Sequence, residues 1–134
     1  MNRIIIHSYS ELIVWQKAKD LAVNVYELTE KFPKEEIYGL ISQMRRFAVS
    51  IPSNITEGRT RGTRKDFLQF LRIAHGSCSE LETQVEIAKR WSRTKNLDFS
   101  RIENLLLEVG KMLALMIRKM NPKVQEVLAA TEAL

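Results

Sequence analysis

The chain has 134 residues, 45% of them hydrophobic and 28% charged, with five glycines, three prolines and one cysteine. That is enough chain for one domain with a proper core, too little glycine and proline for a disordered or collagen-like polymer, and too little cysteine for an intramolecular disulfide. The net charge of +5 is uneven, with 11 Lys and Arg against 7 Asp and Glu in residues 1–65 and 10 against 9 in the remainder; such a balance is compatible with an acidic partner, nucleic acid included, without requiring one.

Residues 1–9 read as an extended lead-in, and the Ile4-Ile5-Ile6 run is too short for a signal-peptide core. No apolar run is long enough for a membrane span, and the lone thiol fits a reducing compartment, so a cytoplasmic protein with no membrane partner is expected. Ser10 followed by Glu11 is a helix start, and Val14, Ala18, Leu21, Val25, Leu28 and Phe32 then alternate four and three apart. That seam predicts a first helix over 11–31. Leu12, Trp15, Ala22 and Tyr26 form a second apolar line, more than one core face needs and suited to a neighbouring subunit. Pro33 is placed for a first helical turn, and a second helix is expected over 34–59, kinked at Pro52. Gly58 and Gly62 can end it. Thr63 with Asp66 resembles a capping box and opens a third helix over 64–92.

The third helix carries the seam Phe67, Leu71, Ala74, Cys78, Leu81, Val85 and Ala88, in which Cys78 reads as a small buried hydrophobe rather than a nucleophile. Phe70, Ile73, Ile87 and Trp91 again make a second line. A polar connection follows, with Asp98 or Ser100 able to cap a fourth helix over 99–120, whose methionines read as adaptable packing. Asn121-Pro122 stops that helix, leaving 121–134 as a tail, either a short amphipathic helix or a loose segment. The fold expected is all-α, a single domain with its core in 11–120, arranged as an antiparallel up-down-up-down four-helix bundle.

Polar residues interrupt this pattern at two places. Arg46, Ser50, Asn54, Glu57 and Arg61 fall four, four, three and four apart, on one line beside the apolar stripe of the second helix. If the chain reverses at Gly62, Ser50 faces Ser77 and Arg46 faces Glu80, with the small residues Gly76, Ser77 and Ser79 allowing close approach. Arg46, Ser50, Asn54, Glu57, Ser77 and Glu80 are therefore read as a structural polar seam whose members satisfy one another. Arg59, Arg61, Arg64 and Lys65 form a basic knot at the same turn. The knot reads either as a phosphate-contacting surface or as charge that solvates a turn and neutralises a helix end.

Catalytic patterns are missing. Neither histidine has a glutamate three residues before it, His75 following Arg72 and His7 following Ile4, so a bundle carboxylate metal site is not encoded. Gly58-x-x-x-Gly62 lacks the Lys-Ser/Thr pair of a phosphate-binding loop. Arg72 and His75 share a helix face and could stabilise a phosphorane and move a proton, which makes a helical ribonuclease the enzyme alternative. Their spacing differs from the Arg-x4-6-His signature of the helical HEPN nucleases. The expectation is a protein that is not an enzyme and holds no cofactor or metal.

Leu12-x-Val14-Trp15-Gln16-Lys17-Ala18, Phe32-Pro33 with Glu36, Tyr38-Gly39-Leu40, Gln43-x-Arg45-Arg46, Ser50-Ile51-Pro52-Ser53-Asn54-Ile55-x-Glu57-Gly58, and Ala74-x-Gly76-Ser77 with Glu80-Leu81-Glu82 together span most of residues 11–118. In these residues the chain resembles the bacterial four-helix-bundle family encoded in intervening sequences of large-subunit ribosomal RNA genes. The resemblance implies an up-down-up-down bundle assembled as a homopentamer, with no established catalysis. A related branch is the accessory protein of diversity-generating retroelements, a basic pentamer that binds nucleic acid and a reverse transcriptase, so RNA or DNA and a reverse transcriptase are the partners the resemblance implies.

Overall fold

The computed structural model describes residues 9–133. Five α-helices are present, with no strand among the described residues: α1 Tyr9–Thr29, α2 Leu40–Arg61, α3 Arg64–Arg90, α4 Ser100–Met120 and α5 Pro122–Glu132. A 3-10 turn, Lys34–Tyr38, precedes α2. Apart from Tyr9, which opens α1, the lead-in over 1–9 lies outside the described residues.

The expected seams form the core. Val14, Ala18, Leu21, Val25, Leu28 and Phe32 are buried, as are Met44, Ala48, Ile51 and Ile55 of α2 and Leu71, Ala74, Cys78, Leu81, Val85 and Ala88 of α3. Ile102, Leu105, Leu106, Val109 and Leu113 complete it from α4. Among the four long helices, α1 packs on α2 and α4, and α3 packs on α2 and α4, while among the described elements α5 touches α4 alone. Each long helix therefore buries its stripe between two neighbours, and α4 closes the set against α1. No described helix is long and apolar enough to cross a membrane.

The connections show where local chemistry overrides periodicity. The second helix does not run unbroken from 34: the Leu40 N–H donates to Glu36 Oε1 at 2.9 Å, so a side chain from the 3-10 turn caps a new helix that begins at Leu40. α2 then runs through the buried Pro52 and ends at Gly62, whose φ of 84° is the left-handed conformation that glycine adopts without strain. Thr63 Oγ1 accepts from the Asp66 N–H at 3.1 Å, the cap expected of this pair. After α3, the buried Thr94 hydroxyl donates to the Ala88 carbonyl at 2.6 Å. Asp98 Oδ1 accepts from both the N–H and the hydroxyl of Ser100, at 3.0 and 2.7 Å, where α4 begins. The tail is helical: Asn121 caps Lys123 at 2.9 Å and Pro122 takes the first turn.

Close approach of α2 and α3 is set at Gly58. A Cβ there would stand 2.9 Å from Phe67 Cδ1 and 2.9 Å from Phe70 Cβ, whereas one on Gly76 would meet nothing within 4 Å. Gly76 and Ser79 are exposed and are not the contact residues the sequence suggested. Gly58→Ala gains helix propensity but pushes two aromatic side chains apart, and a net loss of about 1–2 kcal/mol is expected in urea unfolding. The same substitution at Gly76 should be neutral or stabilising.

Candidate functional site

The polar seam is present in part. The Ser50 and Ser77 hydroxyls lie 2.9 Å apart across α2 and α3, and Asn54 Nδ2 donates to both the Ser50 carbonyl and its hydroxyl at 2.8 Å. Three groups that helix burial would otherwise leave wanting thereby satisfy one another. The rest of the line points outward. Arg46 is exposed and donates to Gln43 Oε1 at 3.1 Å rather than to Glu80, which is itself exposed. Glu57 accepts from Arg61 Nε at 2.9 Å, also at the surface. The expected Arg46–Glu80 contact is not formed, because each has solvent within reach and neither is forced to desolvate.

The basic knot divides. Arg59 turns inward: its Nη1 lies 3.3 Å from Glu11 Oε1, and the two side chains are only 7% and 9% exposed. Its guanidinium carbon stands 5.4 Å from the centre of the Phe67 ring. Arg61 is held by Glu57, with its guanidinium 5.1 Å from the Phe70 ring. Arg64 and Lys65 project into solvent at the start of α3.

A cavity of about 610 Å³ opens beside this turn, with Gly58, Arg59, Thr63, Met116, Lys119 and Met120 in its wall. The C-terminal end of α4 therefore lies at the α2–α3 turn, and brings Lys119 to the cations of the knot. Reasoning on the knot alone overlooked Glu11 and Lys119. The up-down-up-down order expected from the sequence is the signal that would have gathered them, since such an order would return the start of α1 and the end of α4 to one end.

The second apolar lines lie at the surface. Leu12, Trp15, Ala22, Phe70 and Trp91 are half-buried, and Tyr26, Ile73 and Ile87 are exposed. Tyr26, Ile37 and Val49 also line a shallow hollow of about 430 Å³ on α1 and α2. There Arg45 donates from Nε to Thr29 Oγ1 at 2.9 Å and lies 4.6 Å from the Tyr26 ring centre. Tyr38, at the end of the 3-10 turn, is 94% exposed.

Of the chemistry weighed for catalysis, Arg72 is exposed and His75 half-buried on α3, and neither lines the two cavities. Among the described residues no group of three or more His, Cys, Asp or Glu is placed to hold a metal ion. The Cys78 thiol is pushed up to about 12, chiefly by burial and then by the Glu82 carboxylate. A thiol so far from its thiolate is a poor nucleophile at neutral pH.

Three measurements check this geometry. Glu80→Ala should shift stability by no more than about 0.5 kcal/mol, as expected of an exposed position. Arg59→Met, which strips the Glu11 carboxylate of this buried cation, should cost about 3 kcal/mol. Cys78 should resist alkylation by iodoacetamide at pH 8 in the native protein and react promptly in denaturant; native labelling at the denatured rate would contradict its burial.

Comparison with known proteins agrees with the fold. A Bacteroides thetaiotaomicron VPI-5482 protein of unknown function from the S23 ribosomal protein family superposes with a TM-score of 0.73 at 24% sequence identity, covering 81% of this chain and 98% of that one. Among curated proteins none matches. The sequence model of the 23S rRNA-intervening sequence proteins matches residues 10–115, which takes in α1 to α3, most of α4 and the motifs quoted above. The chain belongs to the 23S rRNA-intervening sequence protein family.

Proposed function

We propose that this chain is a non-catalytic subunit of a cytoplasmic homopentamer that binds RNA or DNA with little sequence preference through its basic end. Its four long helices run as an antiparallel up-down-up-down bundle. The observation that supports the binding surface most directly is the gathering of Arg61, Arg64, Lys65 and Lys119 at the α2–α3 turn, with Arg64 and Lys65 exposed. Each phosphate contact is weak and sequence-independent, and five copies of a chain carrying +5 add such contacts through avidity. The exposed Tyr26, Ile73 and Ile87 supply apolar surface that assembly would cover. A reverse transcriptase working on the same nucleic acid is the protein partner for such an accessory factor.

A second reading, a protein-protein scaffold without nucleic-acid affinity, is favoured by the hollow at Tyr26, Ile37 and Val49. Tyrosine and aliphatic side chains around a shallow concavity suit a protein surface better than a phosphate backbone.

Light scattering at micromolar concentration should give five times the chain mass; a monomer would sink the assembly. Binding to a single-stranded RNA and to a duplex DNA should weaken with salt. The triple variant Arg61→Ala, Arg64→Ala, Lys65→Ala should reduce the slope of log affinity against log salt by about 0.7–0.9 for every phosphate no longer neutralised. An unchanged slope places the binding surface elsewhere, and no binding by the wild type at low salt selects the scaffold.

A further inference from the structure

The cavity at the α2–α3 turn carries features that a solvated helix end does not need. Its volume of about 610 Å³ falls in the range of small-molecule sites, about 300–1,000 Å³. Phe67, Met112, Met116 and Met120 give it an apolar wall, and unbranched methionines reshape around whatever enters. Beside this wall lies Arg59, a cation whose side chain is only 7% exposed. Glu11 engages its Nη1, while its Nε is buried with no acceptor among the described residues. Arg59 nonetheless contributes its positive charge to the cavity wall, where an anionic group is favoured by charge complementarity.

Two further features favour negative charge at the same place. Among the described residues of the wall, Arg64 and Lys119 stand with Arg59 and Glu11, three cations and one carboxylate. The wall also includes Thr63 at the N-terminus of α3, where the Thr63 side chain takes the Asp66 N–H. The amides of Arg64 and Lys65, in the first turn, have no intrahelical acceptor and add the positive end of the helix dipole.

We infer that this cavity is a binding site for a small amphipathic anion, an alkyl chain bearing a carboxylate or phosphate head. The head lies at the cationic side of the wall, by Arg59, Arg64 and Lys119, and the chain lies among Phe67, Met112, Met116 and Met120. The site is separate from nucleic-acid binding in its key residue: Arg59 is internal, whereas the proposed phosphate surface uses Arg61, Arg64 and Lys65. Either can fail without the other.

The test uses the full chain with 13C-methyl methionine, titrated with decanoate, decyl phosphate and decanol and followed by methyl NMR. Decanoate or decyl phosphate should shift the Met112, Met116 and Met120 methyls to saturation and leave Met44, buried in the core, unmoved. The tighter of the two identifies the head group. Decanol should bind roughly tenfold more weakly or worse, because it lacks the charge that Arg59 receives. Arg59→Met should remove this preference for the anions. Since that change leaves Glu11 without its internal cation, the double variant Glu11→Gln, Arg59→Met removes both charges together and should also bind all three ligands alike. Equal binding of decanol and decanoate by the wild type, shifts centred on Met44, or an anion preference retained in the double variant would each overturn the assignment.

Discussion

One internal ion pair governs the end of this molecule where its chemistry is concentrated. Arg59 and Glu11 join the last turn of α2 to the first turns of α1, both side chains almost wholly removed from water. Desolvating two charges is expensive, and a single contact of 3.3 Å does not recover the cost alone. The Phe67 ring beneath the guanidinium contributes, and that ring is where it is because Gly58 lets α3 approach α2 closely. Helix proximity, aromatic placement and the inward turn of one arginine are thus a single arrangement. Its result is a surface with one cation fewer than the sequence offers and an interior with one cation more.

Elsewhere the ion pairs do less. Lys17 with Glu108, Lys89 with Glu103 and Arg93 with Glu35 link successive or neighbouring segments at 2.7, 2.7 and 2.6 Å, all at the surface. The hydrogen bond from Arg93 holds the Glu35 carboxyl below its usual range, and that from Lys17 does the same for Glu108. Such pairs orient side chains and contribute little to stability. What holds the helices together is the continuous apolar interior from Val14 to Leu113, to which the Ser50–Ser77 contact adds a polar position that favours one register of α2 against α3.

Where the sequence could be read, it was read through periodicity. The heptad seams of α1 and α3 recur residue for residue in the core, since a helix admits only one set of positions on its buried side. Ser50 and Ser77 were legible for a related reason: short side chains on facing helices have few directions open to them. Arg46 and Glu80 were not, because long side chains at the edge of a face can turn to water, and spacing does not say which way they go. The break at Gly39 depended on the Glu36 carboxylate reaching the Leu40 amide, an event decided by a rotamer rather than by hydrophobic pattern. Arg59 was misplaced by its charge. It lies four residues after Ile55 and eight after Ile51, squarely on the apolar stripe, and the position outweighed the residue type once Glu11 and Phe67 were there to receive it.

The two-residue link between α2 and α3 bears on how the chain assembles. Gly62 and Thr63 reverse it with minimal loss of chain freedom, so the pairing that seats Gly58 against Phe67 and Phe70 brings together residues already near in sequence. Docking of α4 on α1 joins the most distant helices of the core and must pay the largest closure entropy. The order this implies is a central hairpin first and the outer helices afterwards. A nascent chain released before α4 emerges would hold α1 and α3 each with one side of its stripe uncovered, a state whose exposed apolar surface invites another copy of the same chain.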